Sequence, residues 1–168
     1  LDASAAGLAS QIDSEAAAVA QLNDAITTAS AAGGRPNDLL DERQKHLDQL
    51  ATLAGASFVQ TSTGAVNVVL PGGTTLVAGD RAGSLGTRPL APEGAGLPSH
   101  LGMTFTEADG SGPRDVPGAY FGGTLGGTLA ARDGALAAAG AQIDALASDL
   151  TATLNAQHQA GYVAGPPN

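Results

Sequence analysis

The sequence predicts a mainly α-helical chain with an inserted β-rich part. Three segments carry apolar residues at helical spacing, and between the second and the third, from Ser57 onward, apolar residues alternate with polar ones instead. Alternation is typical of half-buried strands, whereas the three- and four-residue spacing is typical of helices. Residues 80–123 are dense in glycine and proline, which indicates turns and short strands.

The first helical segment covers residues 1–31 and carries one apolar stripe in a rhythm of fours and threes. The stripe consists of Leu1, Ala5, Leu8, Ile12, Val19, Leu22 and Ile26, with Glu15 at one seam position. Alanines between residues 16 and 20 favour the helix and keep it thin, so a neighbouring helix can approach closely. Gly33 and Gly34 end the helix.

The second helical segment covers residues 36–54, and its stripe consists of Leu40, Arg43, Leu47, Leu50 and Ala54. Gly55 stands where a left-handed C-terminal cap is expected. Because only a few residues separate the first two helices, we expect them to be antiparallel neighbours.

Three strands with turn residues between them follow, which predicts a β-meander. The strands are residues 58–61, 66–70 and 75–78. Further strand candidates are residues 103–106 and 119–121.

The third helical segment runs from about Leu125 to Ala160, at ~1.5 Å per residue about 50 Å of helix, and stops at Gly161. One seam is Leu129, Leu136, Ile143 and Leu150, and the other is Leu125, Arg132, Ala139 and Leu146. We therefore predict a helical bundle domain of residues 1–56 and 122–162, an inserted β-rich domain of residues 57–121, and a tail of residues 163–168.

The composition excludes several functions. Seven basic against sixteen acidic residues give a net charge of -9, so the chain lacks the positive field that binds nucleic acid or an anionic membrane. The absence of cysteine excludes disulfides, thiolate nucleophiles and zinc–thiolate sites. No apolar run approaches the ~18 residues of a membrane span, and the start has no signal-peptide pattern.

No motif assembles a catalytic or metal site. The histidines at 46, 100 and 158 lack metal-ligand spacing, and we expect His46 and His158 to be exposed or rim residues. Residues 109–112 resemble a calcium loop only faintly and predict a surface turn. The glycines of residues 122–127 lack the lysine of a phosphate loop and predict a flexible helix entry, and residues 83–86 lack the first glycine of a nucleophile elbow. We therefore expect no catalytic residue, metal or cofactor, and no enzyme.

Four segments, in order, resemble the flagellar hook-associated protein 1 family of hook–filament junction proteins. The helix from Pro36 to Leu47 carries an Asn-Asp-Leu-Leu-Asp-x-Arg pattern typical of that family. The other segments are residues 64–70 followed by 75–79, residues 126–133 and residues 154–162. The poorest match is residues 80–121, as expected of a variable outer segment.

The resemblance implies a structural subunit of the bacterial flagellum that forms the junction layer between hook and filament. It implies an extracellular protein, exported by the flagellar type III apparatus without a cleaved signal, whose partners are itself, the hook protein and a second junction protein. It also implies a helical bundle resembling the flagellin rod domain. The family's terminal heptad segments are missing, so we expect a central segment of a longer chain that is monomeric alone.

Two other functions stay open. A secreted coiled-coil adhesin or stalk presenting a small β domain fits the heptads, although it favours parallel oligomers. A hydrolase using acids in residues 80–121 fits poorly, because no nucleophile, base and orienting group can be named together.

Two arginines at seam positions, Arg43 and Arg132, suggest a charged clamp. Glu15 lies about 11 residues, or ~16 Å, from Arg43 along the paired helices, so these two residues do not pair. The resemblance makes the third helix antiparallel to the first, which places Arg132 near the end where Arg43 lies. We hypothesise that both arginines bind carboxylates among Asp24, Asp38, Asp41 and Asp133. Alternatively, they are rim residues whose stems cover the bundle.

Overall fold

A computed structural model describes residues 1–90 and 100–161. The chain forms two compact units, of which the first is Leu1–Ala130 and the second begins at Ala131. The first unit mixes helices and strands. Its elements are α1 (Asp2–Ala31), α2 (Asn37–Ala54), β1 (Ser57–Gln60), β2 (Val66–Val69), β3 (Thr75–Ala78), β4 (Arg81–Ala82), β5 (Ser84–Leu90), β6 (His100–Thr106), β7 (Arg114–Val116), a 3-10 turn (Gly118–Tyr120) and α3 (Gly123–Ala130).

The first two helices lie where the sequence predicts them and pack as antiparallel neighbours. Asn23 of α1 bonds to Arg43 of α2, while Glu15 of α1 bonds to His46 further along α2. Small residues line the buried side of α1, which allows the close approach expected from the alanines. The buried residues of α1 are Ala5, Ala9, Ile12, Ala16, Val19, Ala20, Asn23 and Ile26. Gly55 caps α2 in the left-handed conformation, with φ of 68°.

The strands form two antiparallel sheets. Strands β1 to β4 make a four-stranded meander in chain order, and β5 to β7 make a three-stranded sheet, also in chain order. The predicted meander and the strand at residues 103–106 are confirmed. The strand predicted at residues 119–121 is wrong, because Gly118–Tyr120 forms a 3-10 turn closed by the bond from Tyr120 N–H to the Pro117 carbonyl.

One hydrophobic core joins the helices and the strands of the first unit. Phe105 of β6, Leu76 of β3, Ile12 of α1 and Leu125 of α3 are all fully buried within it. The core takes side chains from both sheets and from all three helices. The predicted division into a helical bundle domain and an inserted β domain stays a prediction.

Glycines bring the start of α3 directly against the end of α2. The Gly122 N–H donates to the Ala54 carbonyl at 2.9 Å. A Cβ at Gly55 would lie 2.8 Å from the Gly122 Cα, and one at Gly123, where φ is +56°, would overlap the Thr52 carbonyl oxygen. The glycine-rich segment predicted as a flexible helix entry is therefore a close backbone contact.

The second unit contains a π-helical segment, Ala131–Leu136, followed by α4, Ala137–Gly161. The helix predicted over about residues 125–160 is confirmed, but its geometry changes from α to π at Ala131–Leu136, around Gly134, whose helix propensity is low. Large apolar side chains of α4 are 59 to 70% exposed, namely Ile143, Leu146, Leu150 and Leu154. The tail predicted at residues 163–168 lies outside the described residues. Among the described helices, none combines the length and apolar character that a membrane crossing requires.

Candidate functional site: a buried polar brace

The most concentrated polar chemistry of the first unit surrounds Asn23, which is 1% exposed. Its Oδ1 accepts the Val66 N–H at 3.0 Å, and its Nδ2 donates to the Val66 carbonyl at 2.8 Å and to the Gly79 carbonyl at 2.7 Å. Val66 begins β2, and Gly79 follows β3. The Asn23 amide thus ties α1 to the start of β2 and to the residue that follows β3, and we call Asn23, Arg43 and their bonded backbone groups the brace.

The Asn23 amide supplies hydrogen bonds at the position where the β2–β3 ladder would otherwise continue. In the β2–β3 ladder Val68 faces Val77, and continuing that antiparallel register would set Val66 opposite Gly79. There, the Asn23 side chain bonds both carbonyls instead. The Gly79 N–H is satisfied separately by the Asn67 Oδ1 at 2.9 Å, so the strand ends keep their hydrogen bonds while the helix is held against them.

Arg43 of α2 completes the brace from the other side. Its Nη1 donates to the Asn23 Oδ1 and to the Gly64 carbonyl, each at 2.9 Å, and the residue is 6% exposed. Burial lowers the pKa of the Arg43 guanidinium from its usual value, because desolvation disfavours the charged form. Gly64 lies in the turn between β1 and β2, so Arg43 links α2 to that turn.

The predicted arginine clamp is wrong for Arg43, whose bonds go to an amide and a backbone carbonyl and not to the candidate aspartates. Arg132 bonds to Asp133, its neighbour in the chain, at 2.5 Å. Asn23 was not singled out by sequence reasoning. A signal is present, because Asn23 lies four residues after Val19 and three before Ile26 and therefore shares the apolar face of the helix with them.

Aspartates of α1 make further contacts with the second sheet. The Asp13 Oδ1 accepts the Leu85 N–H at 2.7 Å, and the Asp2 Oδ2 accepts the Leu101 N–H at 3.3 Å. Burial raises the pKa of the Asp13 carboxyl to about 6, although the hydrogen bond from Leu85 opposes this shift. Polar side chains at three levels of α1 thus bond to backbone groups of the β part.

A separate polar contact joins α1 and α2 at mid-length. The His46 Nδ1 lies 2.5 Å from the Glu15 Oε2, and both side chains are partly buried. With its nitrogen turned toward Glu15, the Gln49 amide donates to both carboxylate oxygens, at 2.6 and 2.8 Å. His46 therefore serves as a helix-to-helix contact, and Glu15, as expected, does not pair with Arg43.

A groove of about 420 Å³ runs between α2 and β1 beside the brace. Its apolar walls come from Leu40, Leu47, Phe58 and Val66, and its polar ones from Asp41, Arg43, Gln44 and Gln60. Of these residues, Arg43 is the buried cation of the brace, and Asp41 is exposed.

The other candidate residues make structural contacts or lie at the surface. Asp109 accepts the Ser111 N–H at 2.8 Å in a surface turn, and its hydrogen bonds to Ser111 lower the pKa of its carboxyl. His158 is exposed on α4, and His100 begins β6. Within residues 1–90 and 100–161, no group of three or more histidine or acidic side chains is placed to hold a metal ion.

Polar side chains of α1 and α2 thus hold the helices against both sheets, and they define a domain of mixed helix and sheet. The chain belongs to the family described as the flagellar hook-associated protein FlgK helical domain, whose family profile matches residues 1–167.

Relatives and a solved structure agree with the family. The chain is 31% identical over 155 residues to flagellar hook-associated protein 1 of Salmonella typhimurium and 30% identical over 155 residues to that of Escherichia coli K12. Each alignment covers 90% of this chain, which spans 27% of the length of these relatives.

The structure of the flagellar hook junction protein FlgK from Burkholderia pseudomallei is also similar, with a TM-score of 0.65 and 34% identity over 77% of this chain and 23% of that one. The resemblance found in the sequence is confirmed. These likenesses lend no support to the adhesin or stalk alternative.

Proposed function

We propose that the chain is part of a structural subunit that joins hook and filament in the bacterial flagellum. The observation that carries the proposal is the family match along residues 1–167, supported by the similar hook junction protein structure. In this proposal the protein is extracellular, is exported without a cleaved signal peptide, catalyses no reaction, and contacts the hook protein, a second junction protein and its own copies.

The brace gives this function a physical basis. A junction layer carries load between two tubes, so its elements must keep their relative positions under shear. Hydrogen bonds from Asn23 and Arg43 fix α1 and α2 against β2, β3 and the turn at Gly64. Directional bonds of this kind resist sliding in a way that apolar contacts alone do not.

The test is deletion of the gene that encodes this chain in its own organism. We expect hooks without attached filaments, loss of motility and flagellin released into the medium, all restored by the intact gene. A complementing gene that carries Gln21→Ala, at an exposed position of α1, serves as the matched control. Normal filaments on the deletion strain would refute the proposal.

We also infer that residues 1–56 with 122–162 act as a helical frame into which residues 57–121 are inserted. The bond from the Gly122 N–H to the Ala54 carbonyl supports this division, because it brings the two joins of the inserted segment together.

A further inference from the structure

The Arg43 guanidinium has hydrogen-bonding capacity that the described residues leave unused. Its Nη1 makes both of the bonds described above, while Nε and Nη2 donate to no residue within 1–90 and 100–161. Among those residues, no fully buried side-chain nitrogen or oxygen lacks a partner. Nε and Nη2 are therefore not fully enclosed, and Arg43 lines the groove between α2 and β1.

The charge of Arg43 is also unbalanced locally. No carboxylate in the described part of the chain bonds to it, and Asp41, the acidic residue on the groove wall, is exposed. A buried cation without an anionic partner is costly, and a carboxylate that arrives with matching geometry recovers part of that cost. The Nε–H and Nη2–H groups lie along one edge of the guanidinium, and two parallel donors of this kind fit the two oxygens of a carboxylate.

We propose that the groove between α2 and β1 binds an extended segment of a partner protein that carries an aspartate or glutamate next to an apolar residue. The acidic side chain pairs with the Nε and Nη2 of Arg43, and the apolar side chain packs on Leu47 and Phe58. This occupant complements the groove in charge and polarity, because the groove contains one buried cation, Arg43, beside an apolar wall. The proposal rests on this geometry and stands whether or not the partner is a flagellar protein.

The test uses the 168-residue chain labelled with nitrogen-15 and two peptides, acetyl-Leu-Glu-Leu-amide and acetyl-Leu-Gln-Leu-amide. We expect the acidic peptide to shift the Arg43 Nε–Hε resonance saturably, and the neutral peptide to bind about tenfold more weakly or worse. Equal binding of both peptides, or no saturable shift with either, overturns the proposal. Acetate that binds as tightly as the acidic peptide also overturns it, because the apolar wall then contributes nothing.

A variant that leaves the brace intact provides the second arm. Gln60→Glu places a carboxylate on the wall of the same groove, where it competes for Arg43, and we expect it to weaken the acidic peptide about tenfold. Gln21→Glu, which adds the same charge at an exposed site of α1, is expected to leave binding unchanged. Equal effects of the two variants would show that only overall charge matters and would overturn the proposal.

Discussion

At the residue scale, polar side chains of α1 make hydrogen bonds that hold this helix against the β part of the first unit. Asn23 uses all of its amide hydrogen-bonding groups on two strands and on Arg43. Asp13 supplies a single acceptor for the Leu85 N–H. The two residues differ in what their burial costs, since a satisfied amide is cheap to bury and a partly desolvated carboxylate is not.

Replacing Asn23 with alanine is expected to destabilise the chain by about 3 to 5 kcal/mol, because it removes one of the two hydrogen bonds of the buried Arg43 and leaves backbone groups of Val66 and Gly79 without their partner. Urea unfolding followed by circular dichroism measures the change. Gln21→Ala, on the exposed face of the same helix, is the control and is expected to change stability by less than ~0.5 kcal/mol. Equal effects of the two substitutions would contradict the role of the brace.

Asp13 is expected to make the chain less stable as the pH rises from about 4 to about 7. The pKa of its carboxyl is about 6 in the folded chain, against an ordinary value of 3.8 for an aspartate in water, so the folded state binds the proton more tightly in this window and loses stability when the proton leaves. With allowance for the partial exposure of the carboxyl, the loss is about 1 to 2 kcal/mol.

The Asp13→Asn variant is expected to remove this pH dependence and to be more stable than the parent chain at pH 7, since the amide oxygen still accepts the Leu85 N–H. Thermal unfolding at a series of pH values measures both effects. Asp24→Asn, at an exposed position of α1, controls for the change in net charge. An Asp13→Asn variant with the slope of the parent chain would disprove the assignment.

At the scale of elements, periodicity predicted most of the fold of the first unit, and contacts between distant segments decided the rest. The stripes placed α1 and α2 correctly because a helix that buries one face must repeat apolar residues along it. The predicted arginine clamp is wrong because it considers only the register along the helices. Arg43 bonds instead to Asn23 of α1 and to the Gly64 carbonyl in the turn between β1 and β2. Neither the contact of Asp13 nor the groove beside Arg43 could be predicted from a local sequence pattern, since both depend on which strand packs against which helix.

Two adjacent glycines of α3 offer a matched test of helix packing. A Cβ at Gly126 would overlap the Phe121 carbonyl group, and Phe121 is buried and unable to move freely, whereas a Cβ at Gly127 meets nothing within 4 Å. Gly126→Ala is expected to cost about 1 to 3 kcal/mol through overpacking. Gly127→Ala is expected to stabilise by up to ~1 kcal/mol, because alanine favours the helix.

Urea unfolding of the two alanine variants and the parent chain measures both effects. If both substitutions stabilise, α3 does not pack as described.

At the scale of the whole molecule, we expect the net charge to outweigh the exposed apolar surface in setting the oligomeric state. The net charge of -9 opposes self-association. The apolar residues exposed on α4 lie on one face of the helix, because they are spaced by three or four residues, and the acidic residues Asp144 and Asp149 lie outside that face. We therefore infer that assembly depends on segments of the full-length relatives that this chain does not span.

The 168-residue chain is accordingly expected to be monomeric at micromolar concentration, as measured by sedimentation velocity. Raising the salt concentration screens the charge, and the chain is expected to stay monomeric under that condition as well if α4 forms no seam of its own. Rings, filaments or a stable dimer at low salt would contradict the inference.

The hydrogen bond between Gly122 and Ala54 has a consequence for how much the segment between these residues can change in length. Residues 55–121 connect α2 to the start of α3. The two ends of this segment lie next to each other, because the Gly122 N–H bonds to the Ala54 carbonyl. The entropy of closing such a loop grows only with the logarithm of its length, and doubling it adds just ~0.6 kcal/mol. Insertions into this segment are therefore expected to add little to the free-energy cost of folding the chain.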